Sequence, residues 1–371
     1  MEDNGPAGLD PLRGRPMKLK RSLGIVITLG AAIAASSAMA GDNAANRYAN
    51  AYKQYTGAAC PLAADNIEHF VYFSRDRDAI RDHAFLTSDR FVGAQIMYAW
   101  RQLEPTEGHY DFSLIQSDVD YLAKHGKRLF IQLQDASFSP EYKPVPDYVV
   151  TDDYDGGVTA QYTDGGAVEG WVAKRWNAKV QLRFAALLSA LGKQFDGVIE
   201  GINLQETAIG VSPDTDSSFT PDKYVAALKT NMRAMKVAFP QSTTMLYANF
   251  MPGEWLPWED KGYLRGIYEF GDKIGVGMGA PDLMYMKKGQ LNHALAMMHE
   301  GKFTVPLGIA VQDGNYVGET GSANVVANRT NRVPVLHTFA QDFLKVSYMF
   351  WVNQDPYFKE DVLPCFSAKG G

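Results

Sequence analysis

The chain has 371 residues, 46% hydrophobic and 21% charged, proportions that suit a globular protein with a sizeable core and not a disordered one. Its 42 acidic and 36 basic residues leave a formal charge of −6, which argues against nucleic acid as a partner, since that needs clustered Lys and Arg. The length accommodates one barrel-sized domain of about 250 residues with decorated loops, and not two.

Residues 1–16 are polar and rich in Pro and Gly, an upstream extension before a natural start at Met17. Lys18, Lys20 and Arg21 then precede an apolar run from Leu23 to Ala34, and Ala38-Met39-Ala40 is a small-x-small cleavage site before Gly41. Residues 17–40 therefore read as a secretory signal peptide, and residues 41–371 as the mature domain, periplasmic or secreted. The apolar run is shorter than the roughly 20 residues a membrane span needs, so no membrane association is expected after cleavage.

Eight short apolar segments follow as strand candidates: His69 to Phe73, Phe91 to Met97, Arg128 to Gln134, Gly197 to Gln205, Thr243 to Asn249, Lys273 to Met278, Val305 to Val311 and Val346 to Val352. Helical periodicity separates most of them. It is clearest over Asn177 to Gln194, Pro221 to Phe239, Gln290 to Glu300 and Val333 to Leu344, with Pro221 placed where a first helical turn tolerates a missing amide proton. After the second strand, Ser113 is expected to cap a helix carrying Asp118 and Asp120, which Gly126 ends. Strand-helix-strand alternation of this kind predicts an α/β fold with parallel strands, a (β/α)8 TIM barrel. One connection is long. The loop after the third strand, Asp135 to Trp176, is rich in Tyr, Asp and Gly and is expected to wall a cleft at the strands' C-terminal ends.

The stretch Trp100, Leu103, Glu104, Pro105, Glu107, Gly108, Tyr110, Asp111, Phe112 closes the second strand, makes a loop and opens a helix. It resembles the second strand-loop-helix unit of clan A glycoside hydrolases such as the family 42 β-galactosidases, which are (β/α)8 barrels. About forty residues carry the resemblance; the rest follows only by strand order. The resemblance implies hydrolysis of a glycosidic bond in an oligo- or polysaccharide, with no cofactor and no metal.

That family carries Asn-Glu at the end of the fourth strand, the Glu serving as general acid/base, and here the dipeptide is Gln205-Glu206. Period-two alternation would put Glu206, Leu204, Ile202 and Glu200 on one face, with Glu200 a paired structural charge near the barrel floor. A retaining enzyme needs a second carboxylate roughly 5 to 5.5 Å away. The family places a Glu at the end of the seventh strand, but this chain reads Gln312-Asp313-Gly314-Asn315-Tyr316. Asp313 is thus the expected nucleophile, Glu319 is a weaker choice, and an inverting reaction with a wider separation stays open.

Other strand ends supply expected sugar contacts: Tyr98, Trp100 and Arg101 after the second, Gln134 and Asp135 after the third, Asn249 and Glu254 after the fifth, Asp282 after the sixth, and Gln312 and Tyr316 after the seventh. Trp351, at the end of the eighth, resembles the platform on which clan A enzymes stack the sugar beside the scissile bond. Cys60 and Cys365 are the only cysteines. In an exported barrel whose first and last strands are neighbours they are expected to form a disulfide, the alternative being two separate buried thiols.

Seven His without an HExxH pattern, and the absence of Gly-x-Ser-x-Gly, Walker and GxGxxG motifs, leave metalloprotease, serine hydrolase and nucleotide chemistry without sequence support. A catalytically inactive carbohydrate-binding barrel is the alternative reading. An isomerase or lyase would want a metal cluster or a Lys base at the mouth.

Overall fold

The computed structural model describes residues 46–367. The expected signal peptide and upstream extension lie outside these residues.

Eight parallel strands, Glu68–Tyr72, Gly93–Ala99, Arg128–Gln134, Gly201–Leu204, Thr243–Tyr247, Gly277–Ala280, Leu307–Val311 and Tyr348–Val352, close into a barrel in chain order. The first strand pairs with both the second and the eighth, Tyr72 lying opposite Gln95 on one side and Val352 on the other. Closure leaves no open edge, and helices cover the outside, so the strands are apolar on both faces.

The helices obey their sequence signals with small shifts. Asn177 accepts hydrogen bonds from the amides of Lys179 and Val180 ahead of the helix Ala178–Phe195, and Thr220 caps Pro221–Ala238 through the amide of Lys223. Ser113 is not the cap expected of it. It is the first residue of the helix Ser113–Lys124, and its amide donates to Asp111 Oδ1 at 3.0 Å. Lys273 and Ile274 belong to the helix Tyr263–Ile274, not to the sixth strand, because Gly275, at φ 77°, ends that helix before the strand begins. The fourth strand is also shorter than expected, four residues from Gly201.

Which residues face the lumen is set by a polar contact across it. Gln95 of the second strand donates Nε2 to Asn203 Oδ1 of the fourth at 2.9 Å and to Tyr247 Oη of the fifth at 3.0 Å. Non-adjacent strands can meet this way only inside the barrel. Phe70, Phe130 and Phe350 fill the layer with ring centroids 5.0 to 5.8 Å apart. A Cβ on Gly201 would come within 2.7 Å of the Phe130 ring, so the fourth strand starts with glycine. Asn203 inside puts Ile202 and Leu204 outside, which reverses the face expected for that strand.

The long third loop folds. Ala136–Ser137, Val168–Ala173 and Val158–Tyr162 form a small antiparallel sheet with Val168–Ala173 in the middle. Tyr162 donates its amide to Gly210 O at 2.9 Å, and Gly210 donates back to Gln161 Oε1 at 3.2 Å. The sheet is thereby clamped to the segment that follows Glu206.

Cys60 and Cys365 are bonded, with Cα atoms 4.8 Å apart and a sequence separation of 305. On the loop-entropy model such a closure restricts the unfolded chain by roughly 5 kcal/mol. Among the described residues no helix is long and apolar enough to cross a membrane.

Candidate active site

The mouth of the barrel, at the C-terminal ends of the strands, gathers carboxylates. The fourth strand ends at Leu204 and the chain leaves its pleat there, so Glu206 reaches the mouth although strict alternation would have turned it outward. Asn249, beyond the fifth strand and in phase with the inward Tyr247, donates Nδ2 to Glu206 Oε2 at 2.7 Å. Burial, with the charge of Asp282 adding to it, pushes the Glu206 carboxyl up to about 8 against the pull of Asn249 and Arg175. Glu206 nevertheless keeps some contact with solvent.

Asp282 follows the sixth strand and accepts Nδ2 of Asn315 at 2.9 Å. Burial pushes it up to about 6, with nearby Asp313 acting in the same direction and Asn315 and Lys287 opposing. Asn315 is itself fixed, since its Oδ1 accepts the amides of Leu283 and Gln312 at 3.1 and 2.9 Å. Asp313 is exposed at the end of the seventh strand. The buried hydroxyl of Tyr72 feels the charges of both Asp313 and Glu206. Glu206, Asp282, Asp313 and Tyr72 therefore share one rim.

Several expected sugar contacts are elsewhere, and strand parity is the reason. Tyr348 and Phe350 touch lumen residues, so Trp351 points outward. It is fully buried, donates Nε1 to His69 Nδ1 at 3.1 Å and packs on Phe366. Tyr98, out of phase with the inward Gln95, donates its hydroxyl to Asp118 at 2.7 Å, where Arg77 also binds. Trp100 is fully buried and donates to Glu104, which also pairs with Arg183; the segment that resembles clan A enzymes is thus a structural tie. Arg101 donates to Lys143 O at 3.1 Å on the outer side of the third loop.

Asp135 is held by Arg175 in a buried two-pronged pair, both bonds 2.7 Å. The same guanidinium donates to Tyr224 Oη at 2.7 Å and to the carbonyl of Glu206 at 3.0 Å. Asp135 therefore positions the Glu206 segment instead of meeting sugar. Gln205 does likewise, its Oε1 accepting the amides of Asp135 and Ala136 at 3.0 and 2.7 Å. Glu254 is a helix cap: it accepts the amides of Lys261, Tyr263 and Leu264 and faces His293 Nε2 at 3.2 Å. Tyr316 is buried, with its hydroxyl on Val352 O at 2.8 Å. Gln312 and Gln134 stay at strand ends, Gln134 in phase with the inward Phe130. Glu200 has the structural role expected of it, accepting from Tyr348 Oη at 2.7 Å and pairing with Arg128. Glu319 is exposed and offers its backbone carbonyl to Asn315 Nδ2 at 3.0 Å.

Two groups carried no signal in the sequence. Glu169, on the middle strand of the third loop's sheet, is buried and its charge reaches Glu206. Asp65, His69 and His337 are a group whose ligand atoms lie within 4.8 Å of one another, between the barrel and its outer helices. Such a donor set could hold a metal. Here both imidazoles already bond Asp65, at 3.1 and 2.9 Å, and Arg90 Nη2 lies 2.8 Å from the same carboxylate, which puts a positive charge where a cation would go.

No family model matches the chain, and no curated protein matches it. Solved structures do. The catalytic domain of beta-amylase from Paenibacillus polymyxa is 8% identical with a TM-score of 0.50, covering 79% of this chain and 93% of that one. Endo-glycoceramidase II from Rhodococcus sp., as its lactosyl-enzyme intermediate, gives 11% and 0.45 over 79% and 75%; GH10 from Paenibacillus barcinonensis gives 13% and 0.44 over 77% and 83%. These neighbours are clan A glycoside hydrolases. At such identities the likeness is one of fold, a (β/α)8 barrel.

Proposed function

We propose that the protein is an exported glycoside hydrolase that cleaves a glycosidic bond in an oligo- or polysaccharide, with Glu206 as the proton donor. The observation that carries this reading is the state of Glu206: a carboxyl at a strand's C-terminal end, oriented by Asn249 and pushed up to about 8, holds its proton at neutral pH. Asp282 beside it, pushed up only to about 6, is ionised there and favours the protonated form of Glu206. A carboxyl that keeps its proton at neutral pH is what general acid catalysis there requires.

In the first step Glu206 gives its proton to the glycosidic oxygen as the bond from that oxygen to the anomeric carbon breaks. Asp313, at the seventh-strand end, attacks the anomeric carbon and forms a glycosyl ester. Glu206, now a carboxylate, takes a proton from water, whose oxygen displaces Asp313 and releases the sugar. If Asp313 stands roughly 6.5 to 9.5 Å from Glu206 in the working enzyme, it activates a water directly and the reaction inverts. Export is supported by the signal-like N-terminus and by the Cys60–Cys365 bond, which suits an oxidising compartment.

A second reading, a carbohydrate-binding barrel without turnover, is favoured by one observation: the seventh strand offers no Glu, and its Asp313 is exposed. The deciding experiment is reducing-end release by residues 41–371 on a panel of bacterial and plant polysaccharides, beside Glu206→Gln. Release by the wild type that vanishes in the variant supports the hydrolase. Binding by both with no release supports the silent barrel.

A further inference from the structure

The mouth holds more acceptors than its own donors satisfy. Glu169 is only 4% exposed, and its Oε2 has no hydrogen-bond partner among the described residues; Gln134, also 4% exposed, has an unpartnered Oε1. Gln134 faces the lumen at the mouth, and Glu169 lies near enough for its charge to act on Glu206. Gln134 ends the third strand, and the next two amides donate to Gln205, the neighbour of Glu206. Glu169 sits on the strand Val168–Ala173, which pairs with Ala136–Ser137 on one side and through Val158–Tyr162 is clamped to Gly210 on the other.

A buried carboxylate without a donor is costly, and the cost falls when a ligand supplies one. The cations near this floor are engaged. Arg175 spends its guanidinium on Asp135, Tyr224 and the Glu206 carbonyl, and Lys174 pairs with Asp216 at 3.2 Å. Of the remaining charged groups, Asp282, Asp313 and the more distant Asp164 are acidic; Lys287 acts on Asp282, and Arg75, which acts on Tyr72, lies over the Tyr142 ring at 4.2 Å. A neutral sugar would offer hydroxyl donors to these oxygens; a sugar bearing an ammonium group offers donors and the charge the floor lacks.

We infer that Glu169 and Gln134 form a subsite for a cationic amino sugar, so that the glycan recognised here is one with free amines, such as a deacetylated hexosamine polymer. This rests on the carbohydrate-binding mouth proposed above, and not on turnover. Glu169 takes the ammonium through its unpartnered oxygen, and Gln134 accepts a second N–H or a neighbouring hydroxyl. Acetylation of the amine would remove the charge and add bulk at a buried floor.

Titration calorimetry at pH 6.5 tests this with hexamers of glucosamine and of galactosamine, their N-acetylated counterparts and the glucose hexamer, against the mature protein and Glu169→Gln. One free-amine hexamer is expected to bind about tenfold or more tighter than its acetylated and neutral counterparts, as for a charge-assisted contact. Glu169→Gln, matched in shape and checked for an unchanged melting temperature, should erase that preference. Equal binding of all sugars, binding of none, or a preference that survives in Glu169→Gln overturns the proposal. Reducing-end release measured on the same sugars is a separate readout: preference without release would count against the hydrolase and leave the subsite standing.

Discussion

The indole of Trp351 donates its N–H to Nδ1 of His69 at 3.1 Å, on the outer side of the barrel wall. That bond fixes the imidazole as the tautomer protonated on Nε2, which can then donate to Asp65. Trp351 therefore holds the closure between the first and eighth strands and does not stack sugar. Trp351→Phe should destabilise the protein by about 1 to 3 kcal/mol, because His69 Nδ1 is left buried without a donor. Its effect on turnover should be small. Denaturant unfolding and kcat/KM together check this, and a loss of turnover with unchanged stability would return Trp351 to the cleft.

Stability on the acid side should depend on the same cluster. Burial would raise the Asp65 carboxyl, but bonds from His337 and His69 outweigh it and hold it far below the usual carboxylate range. Burial pushes His69 down as well, against the pull of Asp65. Both are depressed groups, so the stability they contribute is present above their unfolded values, about 6.5 for His and about 3.9 for Asp, and is lost as pH falls toward the folded ones. The melting temperature should decline in two stages, below about pH 6.5 and again below about pH 4. Asp65→Asn should remove the second stage and lower stability at neutral pH by roughly 3 kcal/mol, since Arg90 loses its partner. A flat profile from pH 7 to 3 would contradict the assignment.

The barrel is legible in the sequence because buried parallel strands are continuous apolar runs with helical periodicity between them. That continuity is also what hides the faces. In Tyr348–Val352 every residue is buried, so no alternation says that Phe350 looks in and Trp351 looks out. The same ambiguity covered Tyr98 and reversed the expected face of the fourth strand, where Asn203 was the one polar clue. Glu206 stood out because it follows the fourth strand where clan A enzymes carry their acid/base, and the irregular exit from the pleat after Leu204 brings it to the mouth against strict alternation. Glu169 was not, because within Val168-Glu169-Gly170 it reads like any acid on a loop.

Activity should fall on the alkaline side as Glu206 loses its proton, and Asp282 should set where that happens. Turnover needs Glu206 protonated, so the rate should fall through about pH 8. Asp282→Asn removes a charge that raises Glu206, and the alkaline limb should move to lower pH. Removing the Asn249 amide, which lowers Glu206, should move that limb upward. Profiles of kcat/KM for the three proteins decide it, and limbs that stay put in both variants would refute the coupling.

Arg175 connects the third loop to the segment that carries Glu206, the proposed proton donor. Arg175→Met leaves Asp135 buried without its partner and should cost roughly 3 to 5 kcal/mol. Arg175→Lys keeps the charge but not the fork that spans Asp135, Tyr224 and the Glu206 carbonyl, so it should be better folded yet still impaired in turnover. A merely structural arginine would give a Lys variant that recovers turnover in step with stability. A positioning arginine gives one whose kcat stays low after the melting temperature has recovered.

The raised carboxyl of Glu206 should also be visible without any substrate. An unfolded Glu titrates near about 4.3, and the folded one is pushed up to about 8. For a raised group the folded state holds the extra proton, so its contribution is fully present below about pH 4.3 and is lost as pH rises through about 8. Glu206→Gln keeps an oxygen for the Asn249 amide and cannot ionise. The variant should therefore match the wild type in melting temperature near pH 4 and exceed it increasingly from pH 6 to 9, while losing turnover, as expected where a site trades stability for function. A wild type as stable as the variant at pH 9 would mean that Glu206 ionises freely in the folded protein, and the proton donor would have to be sought elsewhere on the rim.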